Sequence, residues 1–276
     1  MAAVAGEPEV IRDKAAMRAW ARRRRAEGKT VALVPTMGFL HDGHLSLVSA
    51  AAAAASATSP VAVVVSIYVN PSQFAPTEDL ATYPSDLAGD LRKLAATGAV
   101  AAVFCPPDLY VRAGAGGSGG AVSCLEEAGC GDGHETWIRV ERLEKGLCGS
   151  RRPVFFRGVA TVVAKLFNIV EPDIAVFGKK DYQQWRVICR MVRDLDFAID
   201  IIGSEIVREA DGLAMSSRNV HLSHEEREKI VEQESLVALE RIDRPAAICV
   251  AAWFGKVRLI DNMEIQTHHP DGGAGI

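Results

Sequence analysis

Continuous runs of apolar, mostly β-branched residues constrain the fold of this 276-residue chain more than any other feature. The first, at residues 31–34, is too short and too β-branched to form a helix on its own. Further runs follow at residues 61–69, 100–104, 174–177 and 198–202. Strands that are apolar throughout, rather than at alternate positions, are typical of a parallel sheet covered by helices on both faces. The sequence therefore predicts a doubly wound α/β domain.

Segments with helical composition separate these strands. The predicted helices cover residues 43–56, 80–97, 158–170 and 181–195. Residues 112–133 are instead so rich in glycine that they predict a surface insertion without packed structure. The strands and helices together predict a Rossmann-like domain over residues 1–208.

The pattern changes after Ser223, where a short helix at residues 224–229 is followed by short antiparallel strands. Those strands are predicted at residues 230–237, 247–252 and 256–260. We therefore predict a small α+β domain over residues 209–267 and a disordered tail over residues 268–276.

Composition and charge exclude several classes of protein. The net charge is −4, so bulk electrostatics favours neither nucleic acid nor a membrane surface as a partner. The basic cluster at Arg22–Arg25 follows an amphipathic stretch and is interpreted as a solvated helix end. The early acidic residues argue against a targeting segment, and no apolar run is long enough to cross a membrane.

The cysteines indicate a reducing compartment. The six cysteines have neither CxxC nor zinc-site spacing, which predicts reduced thiols and a cytoplasmic location. Cys124, Cys130 and His134 could form a partial metal set, but their glycine-rich surroundings favour accidental loop residues.

The segment PTMGFLHDGH, residues 35–44, lies between the first apolar run and a helix-forming stretch. The N-terminus of a helix offers unpaired N–H groups and the positive end of the helix dipole, which together favour an anion. Gly43 lets a phosphate approach the backbone, and His41 and His44 share one face of the first turn. Zinc fits less well, because no third ligand is near and no glutamate completes an HExxH pattern. The segment therefore predicts a phosphate site.

Polar clusters also follow the later strands, at the edge where doubly wound sheets bind ligands. They are NPSQF at residues 70–74, GKKDYQQ at residues 178–184 and MSSRN at residues 215–219. Histidines, lysines, an arginine and serines together suit a triphosphate and the charge that develops on its α-phosphoryl group. Gln73 and Gln184 can bind hydroxyl or carboxylate groups of a small polar substrate. The chain has no Walker A or GxGxxG motif, which excludes P-loop and dinucleotide-binding proteins.

Four motifs in order, PTMGFLHDGH, VSIYVNPSQF, FGKKDYQQ and DGLAMSSRN, resemble the pantoate–β-alanine ligase (pantothenate synthetase) family of HxGH nucleotidyltransferases. The resemblance covers residues 31–222 and the later AAWFGKVRLIDN, and the segment LEKGLCGSRRPVFFRG resembles the plant branch. It implies that pantoate attacks the α-phosphorus of Mg-ATP, which gives a pantoyl adenylate and pyrophosphate. β-Alanine would then displace AMP to give pantothenate. The resemblance also implies a homodimer.

The resemblance assigns roles to matching residues. His41, His44, Lys180 and Arg218 would be catalytic, with His44 as the proton donor. The ATP site would consist of Met37, Gly38, His41, Gly43, His44, Gly178, Lys179, Lys180, Asp181, Val207, Met215, Ser216, Ser217 and Arg218. Pantoate and β-alanine would contact Gln73, Gln184, Asn70, Tyr83 and Arg152. Asp90 would support Mg²⁺ through water or the ATP phosphates.

The C-terminal part departs from the family pattern. In the family a longer helical segment precedes the strand-rich end, whereas here residues 224–229 lead directly into IVEQESL, which indicates an internal loss near residue 229. Because that domain closes over ATP in the family, we expect weaker ATP retention and more unproductive hydrolysis. Two alternatives remain at this point. One is another HxGH nucleotidyltransferase, such as a cytidylyltransferase or a nicotinate-nucleotide adenylyltransferase, and the other is an impaired isoform that binds substrates or pairs with full-length subunits.

Overall fold

A computed structural model describes residues 7–54, 59–75, 78–110, 134–210, 212–221, 246–254 and 257–265. Its main sheet has six parallel strands in the order β1-β4-β3-β2-β5-β6. The strands are β1 (Glu9–Ile11), β2 (Thr30–Thr36), β3 (Val61–Ile67), β4 (Val100–Phe104), β5 (Ile174–Gly178) and β6 (Asp200–Ser204). The helices are α1 (Lys14–Ala26), α2 (Asp42–Ala53), α3 (Leu87–Thr97), α4 (Cys148–Arg151), α5 (Phe155–Val170) and α6 (Tyr182–Asp194). After β2 the chain adds β3 and β4 on one side, and it then adds β5 and β6 on the other side of β2. A doubly wound fold opens its ligand crevice at such a switch in strand order, here between β2 and β5.

Strand β2 shows why the strands are apolar throughout. Val31 and Leu33 pack into a core formed with α1, α5 and α6, whereas Ala32 and Val34 pack into a second core with α2 and α3. All four residues are fully buried. Successive side chains of a strand point to opposite faces, so a strand covered on both sides must be apolar at every position. The predicted doubly wound α/β fold is confirmed.

The predicted helix at residues 80–97 is wrong in its first part. A short 3₁₀ turn, Asp79–Thr82, precedes α3, which begins only at Leu87. Pro84 disfavours helical backbone at Tyr83, whose ψ is 126°. The Asp86 carboxylate then caps α3 by accepting the N–H of Gly89 at 2.8 Å. Strand β1 was missed because three residues, mostly exposed, carry little pattern.

The strands predicted at residues 247–252 and 256–260 are confirmed as an antiparallel hairpin of β7 (Ala246–Phe254) and β8 (Val257–Ile265). The predicted insertion at 112–133, the helix at 224–229, the strand at 230–237 and the tail at 268–276 lie outside the described residues. No helix in the described part of the chain is long and apolar enough to cross a bilayer. Within the described residues, Cys105, Cys148 and Cys189 are not joined in disulfides.

The basic cluster at the end of α1 is more than a solvated helix end. Arg22 donates to the Glu171 carboxylate at 2.7 Å, and Arg25 donates to Asp173 at 3.3 Å. The second carboxylate oxygen of Asp173 accepts the N–H of Val31 at 2.7 Å. These contacts join α1 to the starts of β2 and β5. Because the ion pairs are partly exposed, each contributes at most about 1 kcal/mol.

Gly158 allows α5 to cross the 3₁₀ turn Pro71–Gln73, so Gly158→Ala should destabilise the fold. An alanine Cβ would lie 2.7 Å from the Cα of Gln73 and overlap the Ser72 carbonyl. We expect the free energy of unfolding in urea to fall by about 3 kcal/mol, because overpacked backbone cannot relax easily. Gly146→Ala is the control, since a Cβ there meets nothing within 4 Å. Equal stability of the two variants would contradict this account.

Candidate active site

A cavity of about 1070 Å³ opens where the carboxyl ends of the strands meet the β7–β8 hairpin. It brings together residues that lie in separate clusters along the sequence. Of the predicted site residues, its lining includes Met37, His41, Gly43, His44, Asn70, Gln73, Tyr83, Arg152, Gly178, Lys180, Asp181, Gln184, Val207, Met215, Ser216, Ser217 and Arg218. Three predicted residues, Gly38, Lys179 and Asp90, do not line it.

The histidine pair is built into the first turn of α2. His41 occupies the N-cap position with extended backbone, and its N–H donates to Nδ1 of His44 at 3.3 Å. Since Nδ1 of His44 is an acceptor, the ring proton of the neutral imidazole is on Nε2. The two rings lie 4.1 Å apart. A side chain at Gly43 would come within 2.9 Å of the His41 ring, so only glycine leaves room for this arrangement.

Both histidines are neutral at physiological pH. Burial, and to a smaller extent the neighbouring His41 and Lys180, lower the pKa of His44 to about 3. Burial and the Lys180 charge also lower the pKa of His41 to about 4. A neutral His44 can donate one hydrogen bond through Nε2 without adding a fixed charge. The positive charge beside the histidines therefore comes from Lys180, and Arg218, which lies over the Tyr83 ring, lines the same cavity.

These pKa shifts predict a loss of stability as the pH falls. Below about pH 6.5 the unfolded chain binds protons at His41 and His44 that the folded chain rejects until about pH 4 and pH 3. The free energy of unfolding should therefore decrease on acidification, with His44 contributing up to about 1.4 kcal/mol per pH unit. Urea denaturation at pH 7 and pH 5 tests this, with His44→Asn as the comparison. An unchanged pH slope in the variant would contradict it.

Asp90 supports the turn before His41 and does not reach the cavity. Its two carboxylate oxygens accept the N–H groups of Phe39 at 2.8 Å and Leu40 at 2.7 Å. Phe39 and Gly38 have positive φ angles of 52° and 87°, so the turn needs this support. Asp90 is also almost fully buried. In the structure Asp90 supports the turn that contains Gly38; its support of Mg²⁺ through water or the ATP phosphates, and the place of Gly38 in the ATP site, stay predictions.

The two adjacent lysines after β5 have different surroundings. A 3₁₀ turn, Lys179–Asp181, directs Lys180 into the cavity, where its Nζ lies 3.7 Å from the Asp181 carboxylate. Lys179 instead bonds Glu205 at 2.6 Å and lies over the Trp185 ring. Lys179 therefore does not line the cavity, although its partner Glu205 does, and its place in the ATP site stays a prediction.

A chain of buried hydrogen bonds orients Gln73. Tyr110 donates its hydroxyl to Oδ1 of Asn70 at 2.9 Å, and Asn70 donates from Nδ2 to Oε1 of Gln73 at 3.0 Å. Asn70 also donates to the carbonyl of Gly158. With Oε1 held in this way, the Gln73 amide presents its NH₂ group towards Met37, whose sulfur accepts it at 3.3 Å. Asn70 therefore orients the Gln73 side chain and also lines the cavity.

Two polar side chains of the cavity lining, Arg152 and Gln183, already have partners within the protein. Arg152 forms two hydrogen bonds to the Glu78 carboxylate, at 2.6 and 3.1 Å, and stacks over Phe155. Gln183 donates to the carbonyls of Leu143 and Gly146, both at 2.7 Å, which fixes that loop beside the cavity. Gln184 lines the cavity beside it.

Sequence reasoning missed Tyr110, Glu78 and Asn262, whose contacts join segments far apart in the chain. Gln183 was identified as polar but not as an anchor. The motif AAWFGKVRLIDN was the only sequence signal that included Asn262.

The described residues contain no group of three or more histidine, cysteine or acidic side chains that could hold a metal ion. His134 packs edge-on against the rings of Tyr110 and Trp137. The partial metal set of Cys124, Cys130 and His134 stays a prediction, because the two cysteines lie outside the described residues.

The parallel sheet, the histidine pair at a helix N-terminus and the cavity lined by these histidines, Lys180 and Arg218 define an α/β enzyme of the HxGH nucleotidyltransferase type. Residues 9–232 match the family model described as pantoate-beta-alanine ligase. The chain belongs to this family and is a ligase.

Known relatives agree along most of the chain. The pantoate--beta-alanine ligase of Oryza sativa subsp. japonica is 72% identical, with 95% of this chain and 98% of the relative covered. A crystal structure of pantothenate synthetase from Thermus thermophilus superposes with a TM-score of 0.75 at 36% identity, and covers 94% of this chain and 100% of that one. The Francisella tularensis ligase, complexed with beta-gamma ATP and beta-alanine, superposes with a TM-score of 0.73 at 31% identity, and covers 93% and 97%. The high identity to rice agrees with the resemblance to the plant branch.

Proposed function

We propose that this chain condenses pantoate with β-alanine to pantothenate, through a pantoyl adenylate, with cleavage of ATP to AMP and pyrophosphate. The observation that carries the proposal is one cavity that combines an anion-binding wall with an oriented amide. The wall contains His41, His44, Lys180 and Arg218, and the amide belongs to Gln73. Neither attack needs a protein nucleophile, because both are made by substrates. Catalysis then depends on positioning and on charge stabilisation.

In the first half-reaction a carboxylate oxygen of pantoate attacks the α-phosphorus of ATP, and the bond to the bridging oxygen of pyrophosphate breaks. Lys180 and Arg218 stabilise the negative charge that grows on the phosphoryl oxygens and the leaving group. Neutral His44 donates from Nε2 to a phosphate oxygen. Gln73 and Gln184 hold the pantoate, and Ser216 and Ser217 complete the cradle.

In the second half-reaction the neutral amine of β-alanine attacks the acyl carbon. The bond between that carbon and the AMP oxygen breaks, and the nitrogen releases a proton to water as the amide forms. The cavity walls limit access of bulk water to the acyl adenylate, which would otherwise hydrolyse. Because Arg152 already pairs with Glu78, a substrate carboxylate that binds Arg152 would have to share its guanidinium group with Glu78.

Magnesium enters, in this proposal, as part of the Mg-ATP substrate. The described residues hold no cluster of three or more histidine, cysteine or acidic side chains, and both Asp90 oxygens accept N–H groups of the turn before His41. The ion would be held by the phosphates, and its charge would reduce repulsion between them and the incoming carboxylate. We also propose a cytoplasmic homodimer with catalytic and lid domains at residues 1–208 and 209–267.

Assays that omit one substrate at a time test the function. With Mg-ATP, pantoate and β-alanine together we expect pantothenate and at least one AMP per pantothenate. Without β-alanine we expect a burst of about one equivalent of pyrophosphate per site, followed by slower release as the bound adenylate hydrolyses. Pyrophosphate formed equally fast without pantoate would contradict the proposal.

A second candidate is the impaired isoform, and one observation favours keeping it. The alignment with the rice relative runs over 309 positions, whereas this chain has 276 residues, so the relative contains residues without a counterpart here. The match to the family model ends at residue 232, close to the internal loss proposed near residue 229. A complete lid should retain ATP and adenylate better. Inserting the corresponding rice segment should therefore reduce AMP released per pantothenate towards one, and unchanged coupling would contradict a defective lid.

A further inference from the structure

We propose that Asn262 is a positioning residue for Lys180, acting from β8 of the C-terminal hairpin. The inference rests on the proposed function, because it assigns a role in binding the ATP phosphates. Lys180 belongs to a three-residue 3₁₀ turn, and so short a turn has few internal hydrogen bonds to hold its shape. The direction of the Lys180 side chain therefore depends on contacts from elsewhere in the fold.

Asn262 supplies those contacts. Its Nδ2 donates to the carbonyl oxygens of Lys179 and Lys180, both at 2.8 Å, and the side chain is buried. Both protons of one amide group are thus used on two successive carbonyls, which belong to the two peptide planes that flank the Cα of Lys180. The orientation of these two planes sets where the Lys180 side chain leaves the backbone. Lys179, which precedes the first of the two peptides, is held by Glu205.

The neighbouring residue on β8 holds the other half of the phosphate cradle. Asp261 accepts two hydrogen bonds from Arg208, at 2.6 and 3.0 Å, and Arg208 also donates to the carbonyl of Gly212. The backbone around Arg208 pairs with Ala214, and the segment continues into Ser216–Arg218. Two adjacent residues of one strand therefore join the Lys180 turn to the segment that carries Arg218. This gives the hairpin a role in assembling the cationic site in addition to covering it.

A double-mutant cycle between Asn262→Asp and Lys180→Ala tests the proposal. Aspartate has the shape of asparagine but no N–H groups, so it removes both bonds and repels the two carbonyls. We expect Asn262→Asp to lower kcat/KM for ATP in pantoate-dependent pyrophosphate release by about tenfold or more. KM for pantoate should change less than about threefold, since Gln73 and Gln184 are held by other elements. If Asn262 acts through Lys180, its replacement should change the rate of the Lys180→Ala enzyme less than about threefold.

A general structural defect gives a different result from a positioning defect. Equal effects of Asn262→Asp with and without Lys180, or a parallel loss of pantoate affinity, would overturn the proposal, as would wild-type activity. Should the wild-type chain release no pyrophosphate with pantoate, the proposed function fails instead. Calorimetric titration with Mg-ATP then tests the positioning by itself: about tenfold weaker binding by Asn262→Asp supports it, and equal binding overturns it.

Discussion

Lys180→Ala is expected to lower the rate of pantoate-dependent pyrophosphate release by about 100-fold to 1,000-fold, the range found when one preorganised donor is removed. The charge of Lys180 lowers the pKa of both histidines, as that of Lys93 does, and Lys180 lines the cavity together with them. Its charge is matched only loosely by Asp181 at 3.7 Å, so it can act on a bound phosphate. The loss should be in kcat more than in KM for pantoate, because the charge it stabilises develops in the transition state.

Lys179→Ala is the matched control. The two lysines are adjacent in the sequence and removal of either changes the net charge equally, but the Lys179 side chain does not line the cavity, and its ammonium group pairs with Glu205, which does. Its loss should change the rate less than about threefold, in line with the small energies of exposed ion pairs. Comparable losses in the two variants would mean that net charge, and not the geometry of the turn, determines the rate.

His44→Asn is expected to lower the same rate by about 100-fold to 1,000-fold while the fold stays intact. The asparagine Oδ1 can take the place of Nδ1 and accept the N–H of His41, which retains the cap of α2. It has no group at the position of Nε2, so the donor to the phosphates is lost. Stopped-flow measurement of pyrophosphate release gives the rate, and urea denaturation gives the stability.

His44→Ala separates the two roles of this residue. It should be as slow as His44→Asn and also less stable by about 1 kcal/mol, because the N–H of His41 then has no acceptor. Near wild-type activity in either variant would contradict the role of His44 as a donor. Equal stability of both variants would show that the contact to His41 adds nothing to the cap.

The fold could be predicted because its signals are local. The runs at β2 and β3 are apolar at every position, and this pattern depends only on burial of both faces of the strand. The turn at His41–His44 was equally clear, since a strand, a glycine and a helix follow one another directly. Helix α3 was misjudged at its start because apolar periodicity continues across Pro84, and only the Asp86 cap marks the true beginning.

The site was predicted as a list of polar residues but not as an arrangement. Lys179 and Lys180 are indistinguishable in sequence, and their directions are decided by a 3₁₀ turn that Glu205 and Asn262 hold from other elements. Asp90 is an acidic residue close to the motif in space, yet its carboxylate is used by two backbone N–H groups. Contacts between residues 50 or more positions apart leave no local pattern in the sequence, so the roles of Asp90 and Asn262 could not be predicted from it.

Oxygen transfer from pantoate to AMP tests the acyl-adenylate mechanism most directly. Pantoate labelled with ¹⁸O in its carboxylate should be incubated with the protein, Mg-ATP and β-alanine, and the AMP analysed by mass spectrometry. If the carboxylate attacks the α-phosphorus and the amine then breaks the acyl–oxygen bond, every pantothenate formed is accompanied by one AMP that carries one labelled oxygen. Pantothenate accompanied by unlabelled AMP, or by ADP and labelled phosphate, would contradict the adenylate mechanism.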